Sequence, residues 1–149
     1  VTLRCGNIYG GGDLNWERLI PGVIKWLLEN KTPVLRSDGS YVRDWVYVDD
    51  VVMAYIEVGK KLIENKVASP SYNFSSSDNY SVDYVYRKIC ELIKGEYIEP
   101  KFKITSEKEI PSQYLDSSLI ENDLNVVAKV NLDEGLEKTI NWYKDYLKL

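Results

Sequence analysis

At 149 residues, with 44% hydrophobic and 28% charged side chains, the chain has the length of one domain with its own core and is too apolar for disorder. A formal net charge of −4 argues against a nucleic-acid surface, which needs a basic patch. Histidine is absent, which excludes Ser-His and Cys-His nucleophilic sites and histidine metal centres. No run reaches the length of a membrane span, and residues 1–15 lack the charged-then-apolar layout of a secretory signal. A cytoplasmic setting is therefore expected, with Cys5 and Cys90 as two reduced thiols and no membrane or nucleic-acid partner.

Residues 1–9 place Val1, Leu3 and Cys5 on one face and predict a strand that ends in Gly10, Gly11 and Gly12. Opening inside a strand, the chain is expected to be a piece of something longer. Trp16, Leu19, Ile20, Val23, Ile24 and Leu27 follow helical spacing, and Pro21 puts the start of that helix near Leu19. Residues 33–36 predict a short strand, and Asp38-Gly39 carries the signature of a hairpin turn into a strand over 41–48. On that strand Tyr41, Arg43, Trp45 and Tyr47 share one face; Val42, Asp44, Val46 and Val48 share the other.

Asp49 reads as the cap of a helix to about Asn65, with Val52, Tyr55, Ile56, Gly59, Leu62 and Ile63 inward. A strand follows over 72–75. Ser81 then caps a helix striped by Val82, Val85, Tyr86, Ile89 and Ile93, with Gly95 just past its end. Residues 101–105 predict an edge strand and 107–116 an irregular stretch. A short helix over 117–123 precedes the last one, which opens on Asn131 with Glu134 and buries Leu132, Leu136, Ile140, Tyr143 and Leu147. The pattern is one α/β unit without repeats or linkers.

Arg43 is the most informative charge. A guanidinium held among aromatic rings suits a bidentate grip on phosphate; the alternative is a buried arginine paired with Asp44, Asp49 or Asp50, or stacked on Trp45. Arg36 suits a base edge, a phosphate or an exposed turn. Asn7, Asp13, Asn15 and Arg18 surround the glycines and, with Trp16, make a sugar or phosphate shelf or a set of turn and cap residues. The glycine triplet lacks the spacing and following helix of a dinucleotide fingerprint. Asp49-Asp50 reads as helix capping rather than a metal pair, and no metal site is expected. Asn73 reads as a turn residue when taken alone.

Five stretches taken together go further: RCGNIYGGGDLNWERLIPGVIKW, PVLRSDGSYVRDWVYVDDVVMAY, YNFSS, EIPSQYLDSS and LDEGLEKTINWY. In order, they resemble the carboxy-terminal part of CDP-glucose 4,6-dehydratases, of the extended short-chain dehydrogenase/reductase superfamily of NAD-dependent sugar-nucleotide epimerases and dehydratases. The N-x-Y-G and R-D-W-V-Y-V-D-D elements are shared across that superfamily; GGGDLNW-x-RLIP and LRSDGS-x-VRD resemble the CDP-glucose branch. The fold implied is the C-terminal part of a Rossmann-type enzyme, a late sheet strand plus a small mixed α/β substrate-binding domain, with residues 1–9 belonging to the NAD-binding sheet.

The resemblance implies that Asn7 reaches the sugar-diphosphate, that Arg18 lies near the nucleotide phosphates and that Arg43 grips the pyrophosphate. It further implies that Arg36 meets the base or ribose, that Asn73 lines the same cleft, and that Gln113 and Tyr114 lie in a loop closing over the nucleotide. Arg36 and the backbone of Leu14, Asn15 and Trp16 are the candidates for cytosine. In the family, hydride passes from sugar C4 to NAD with help from a Tyr-x-x-x-Lys pair, water is lost across C5 and C6, and hydride returns to C6. The product is CDP-4-keto-6-deoxyglucose, a deoxysugar precursor of surface polysaccharides.

In the family the glycine fingerprint, the Tyr-x-x-x-Lys pair and the elimination acid and base all precede the region resembled here, and no tyrosine with a lysine four residues later is read as that pair. The chain is thus expected to carry the substrate-binding portion of a homo-oligomeric lyase, to bind no NAD through its own motifs and to be inactive alone. Two other readings are a stand-alone nucleotide-sugar binding module and a poorly folding remnant. A dTDP- or UDP-sugar enzyme is the sibling alternative.

Overall fold

The computed structural model describes residues 1–103 and 110–149. In chain order its elements are β1 (Thr2–Cys5), β2 (Asn7–Tyr9), α1 (Leu19–Leu28), β3 (Val34–Leu35), β4 (Val42–Tyr47), α2 (Val48–Ile63) and β5 (Ser71–Phe74). These are followed by β6 (Asn79–Ser81), α3 (Val82–Lys94), β7 (Lys101–Phe102), β8 (Ser112–Gln113), α4 (Ser118–Leu124) and α5 (Leu132–Leu147). The mixed α/β class agrees with the sequence reading.

The organising strand is β4. Its second half pairs in parallel with β2, Asn7 opposite Trp45 and Tyr9 opposite Tyr47. Its first half is flanked by antiparallel β6 and by parallel β8, which sets Gln113 opposite Arg43. Alternation along β4 separates two cores. Tyr47 joins Ile20, Ile24 and Leu27 of α1, Tyr86 and Ile89 of α3, and Leu136, Ile140 and Tyr143 of α5. Val46 joins Val51, Ala54 and Val58 of α2, Tyr72 and Phe74 of β5, and Ile120 and Leu124 of α4. Each fully buried Ile or Leu contributes about 1.5–3 kcal/mol relative to exposure, so both clusters matter to stability.

Local signals set several element ends as expected. Ser81 Oγ accepts from the Tyr84 N–H, and Gly95 closes α3 in the left-handed region. Asn131 accepts from the Glu134 N–H at the start of α5, whose inward face includes Leu132, Leu136, Ile140 and Tyr143. α1 begins at Leu19 with Pro21 in its first turn.

Four expectations need correction. Residues 1–9 form two strands rather than one: Gly6 donates its N–H to Phe74 O, after which the chain leaves β5 and joins β4. The Asp38-Gly39 turn exists, with Gly39 at φ +84° and Asp38 accepting from Ser40, but it closes no hairpin. β3 pairs instead with β7 in parallel, because Lys101 and Lys103 donate to the carbonyls of Pro33 and Leu35. The predicted continuation of that edge strand to residue 105 lies outside the described residues, as do positions 107–109 of the stretch expected to be irregular, where Ser112 and Gln113 form β8.

α2 carries the fourth correction. The helix starts at Val48 without a side-chain cap, and Asp49 sits in its first turn, where a carboxylate complements the helix dipole. Its rotation is set by Asp50, which turns inward and accepts from the backbone N–H groups of Lys129 and Val130 at 3.0 and 2.9 Å. Val51, Ala54 and Val58 are therefore buried, while Val52, Tyr55, Ile56, Leu62 and Ile63, expected inward, are exposed. None of the described helices is long and apolar enough to cross a membrane.

Candidate functional site

Two adjoining clefts open where β2, β4 and the start of α1 meet. The larger encloses about 470 Å³ and is lined by Gly6, Asn7, Asp13, Arg18, Leu19, Arg43, Trp45 and Val82, among others. The smaller, about 210 Å³, is lined by Trp16, Arg18, Leu19, Trp26, Val34, Arg36 and Val82, among others. Arg18, Leu19 and Val82 belong to both, so one cleft passes into the other beside the Arg18 side chain.

Arg43 reaches the larger cleft because β4 alternation turns it to the same side as Trp45. It is 9% exposed, donates from Nη1 to the Val42 carbonyl at 2.7 Å, and lies over the Tyr41 ring with Cζ 5.5 Å from the centroid. A guanidinium held by a carbonyl and a ring is oriented before any ligand arrives. Arg18 is more exposed and pairs with Asp13 at 3.2 Å; Arg36 pairs with Glu17 at 3.6 Å. Exposed pairs of this kind are worth roughly 0–1 kcal/mol, so an incoming anion exchanges them at little cost. Arg18 is also the N-cap of α1, which has neither a side-chain cap nor an acid in its first turn. Such a helix start favours negative charge.

Beneath the cleft the polar groups are tightly held. Asp44, 2% exposed, accepts from Asn7 Nδ2 at 3.3 Å and from the Leu115 N–H at 3.0 Å. Tyr143 donates to the Asp13 carbonyl at 2.6 Å and stacks obliquely against Trp16, which fixes the glycine-loop wall. Burial, with the Asp13 charge second, pushes the Tyr143 phenol up to about 12. Tyr9 is likewise pushed above its ordinary range by burial, then by Tyr47 and Asp50, and its hydroxyl stays a neutral donor toward Leu132 O.

Of the residues singled out in the sequence, Asn7, Arg18 and Arg43 meet in the larger cleft, and Trp16, Arg18 and Arg36 in the smaller. Leu14 and Asn15 line neither: Leu14 is exposed, and Asn15 accepts from the Glu17 N–H in a local turn. Gln113 stands opposite Arg43 on β8, with exposed Tyr114 next to it. Asn73 lies in β5 opposite Arg4 and lines neither cleft. Sequence reasoning missed Trp45 as a wall residue although its parity with Arg43 marks it. It also missed Val82 and Trp26, whose roles depend on how α3 and α1 pack and leave no local signal.

The three glycines differ in their surroundings: Gly12, at φ +90°, has open space, while Gly10 and Gly11 are crowded. A Cβ on Gly10 would lie 2.4 Å from Val48 Cγ1, and one on Gly11 would lie 2.3 Å from Trp142 Cγ, so these close approaches are to the chain's own side chains. Six residues, 13–18, then separate the triplet from α1. Among the described residues no group of three His, Cys, Asp or Glu is placed to hold a metal ion.

Residues 1–73 match the model of the NAD dependent epimerase/dehydratase family. Among curated relatives, a dTDP-glucose 4,6-dehydratase of Escherichia coli is 31% identical over 153 residues, covering 96% of this chain and 40% of the relative. Among solved structures, UDP-glucose 4-epimerase of Thermotoga maritima with UDP-glucose is 26% identical with a TM-score of 0.85, over 97% of this chain and 46% of that one. A dTDP-glucose 4,6-dehydratase of Bacillus anthracis in complex with NAD shares the fold at a TM-score of 0.81 and 24% identity, over 98% of this chain and 44% of that one. The chain thus spans about two fifths of the length of these curated dehydratases. The chain is thus similar, over residues 1–73, to the NAD dependent epimerase/dehydratase family, and it shares the fold of a UDP-glucose 4-epimerase over nearly its whole length.

Proposed function

We propose that this chain is the sugar-nucleotide-binding portion of an NAD-dependent 4,6-dehydratase, with CDP-glucose as substrate and CDP-4-keto-6-deoxyglucose as product. The observation that carries the binding role is the convergence of Asn7, Arg18 and Arg43 on one cleft that continues past Arg18 to Trp16 and Arg36. Arg43 grips the diphosphate, and Arg18 with the uncapped start of α1 adds positive potential beside it. Trp16 and Arg36 receive the base or ribose. Asn7 meets the sugar, and Gln113 and Tyr114 approach from the β8 side. The backbone of residues 14–16 completes the contacts, and Asn73, held in β5 opposite Arg4, lies outside both clefts.

NAD and the groups that move hydride and protons belong, in this reading, to another part of a longer enzyme. The chain's share of the curated relatives' length supports this, as do the six residues, 13–18, that separate the glycine triplet from α1. The short parallel pair β1–β5 and the apolar outer face of α2 are the surfaces that part covers, since parallel strands are normally buried on both faces. Alone, the chain binds and does not turn over.

Cytidine specificity rests on the GGGDLNW-x-RLIP and LRSDGS-x-VRD stretches. A dTDP- or UDP-sugar is the second reading, favoured by the substrates in the names of the relatives. Calorimetric competition among CDP-, dTDP- and UDP-glucose tests both. Tightest binding of CDP-glucose is the expected result; preference for another nucleotide selects the second reading, and absence of binding by all three overturns the proposed role.

A further inference from the structure

Asp44 is unusual among the acidic side chains near the cleft in being buried within the sheet rather than paired at the surface. Oδ1 receives Asn7 Nδ2 from β2, and Oδ2 receives the Leu115 N–H from the segment after β8. An ionised carboxylate only accepts, so it dictates which end of the Asn7 carboxamide turns toward it. One N–H of the NH₂ group is engaged, which fixes the plane of the carboxamide and leaves Oδ1 and the second N–H for a ligand. Held in this way, Asn7 offers an acceptor and a donor side by side, a pairing that a sugar hydroxyl, itself donor and acceptor, can meet in full. The same carboxylate anchors the backbone immediately after Gln113 and Tyr114, while Ser117 Oγ accepts from the Ser75 N–H two residues further on. Space for the carboxylate exists only because position 6 is glycine: a Cβ there would lie 2.6 Å from Asp44 Oδ2.

We infer that Asp44 is a positioning residue that fixes the Asn7 carboxamide toward the sugar and pins the segment carrying Gln113 and Tyr114 to the cleft. The ligand half of this inference rests on the proposed nucleotide-sugar role; the anchoring half does not. Hydrogen exchange on the 149-residue chain reads the anchor without ligand. Leu115 N–H is expected to be protected in the wild type and to exchange at least about tenfold faster in Asp44→Asn, which cannot offer acceptors to both donors. An unprotected Leu115 in the wild type overturns the anchor even if the variant does not fold.

For the ligand half, affinities for a nucleoside diphosphate-glucose and the matching nucleoside diphosphate are compared in Asn7→Ala, Asp44→Asn and the double variant. Each single change is expected to weaken the sugar nucleotide about tenfold while sparing the diphosphate, and the double variant to lose no more than either alone. Equal losses for both ligands, or losses that add, overturn the positioning role. Failure of the wild type to bind any nucleotide sugar defeats the functional reading and the sugar-facing role of Asn7 together, and the exchange result still decides the anchor.

Discussion

Gly6 is a position at which the site has no room for a single methyl group. A Cβ on Gly6 would lie 2.3 Å from Ser75 Oγ, 2.6 Å from Asp44 Oδ2 and 2.7 Å from Asp44 Cγ, all below any normal contact. Ser75 can rotate its hydroxyl, which has no hydrogen-bond partner among the described residues. Asp44 cannot move freely, because it is buried and held by the Asn7 side chain and the Leu115 backbone at once. Overpacking of this kind costs roughly 1–3 kcal/mol. Losing one hydrogen bond to a carboxylate adds about 1.5–3 kcal/mol. Restricting the unfolded chain returns about 0.4–1 kcal/mol. Gly6→Ala is therefore expected to destabilise the chain by about 1.5–5.5 kcal/mol, which lowers Tm by roughly 3–22 °C at this size. Thermal and urea unfolding followed by circular dichroism measure it. Adding Ser75→Ala removes the closest contact and should recover part of the loss. A Gly6→Ala chain as stable as the wild type would refute the packing argument and, with it, the tight seating of Asp44.

Three further outcomes follow from the geometry. Arg43→Ala should weaken binding of nucleoside diphosphates about 10–100-fold in calorimetric titration, since a charge-assisted contact is worth about 1.5–3 kcal/mol; unchanged affinity would return Arg43 to a structural role. The Tyr143 phenol is raised in the folded chain, so the neutral form is favoured there: its contribution is intact below the ordinary tyrosine range near pH 10 and is lost as pH rises toward about 12. Tyr143→Phe should flatten that alkaline loss in urea unfolding between those limits, and an unaltered slope would contradict the assignment. Ile56→Lys and Leu62→Lys, 44% and 50% exposed in the wild type, should each change stability by no more than about 0.5 kcal/mol. A loss of several kcal/mol from either would show that this face of α2 packs inward after all.

Much of the fold was legible where a local signal and the burial pattern agree. α5 is the clearest example: the Asn131–Glu134 start and the spacing of Leu132, Leu136, Ile140 and Tyr143 name both its boundary and its buried face. α2 failed on the same kind of reasoning because it is apolar on two sides. Its larger residues, Tyr55, Ile56 and Leu62, made the stronger stripe, yet Asp50 and the 129–130 backbone set the rotation and buried the smaller set. That contact joins residues about 80 positions apart and leaves no trace in either local window. The Asp38-Gly39 turn misled for a related reason. Turn chemistry was read correctly, but which strand follows as a partner depends on backbone donors at 101 and 103.

The cleft was legible in part, and the reason lies in strand parity. On β4, adjacent residues point to opposite faces, so an Arg-Asp pair in sequence is not an ion pair by default. Arg43 joins Trp45 at the cleft, and Asp44 turns beneath it toward Gly6, Asn7 and Leu115. Reading Asp44 as a possible partner for Arg43 treated neighbours in sequence as neighbours in space. Separated by the sheet, the two do complementary work. Arg43 keeps its positive charge at the cleft, and Asp44 uses its negative charge on the chain's own donors beneath it. A strand that turns an arginine to the cleft on one face and seats a carboxylate on the other also needs a neighbour without a side chain. Gly6 meets that need, and it also lets residues 1–9 leave β5 and join β4.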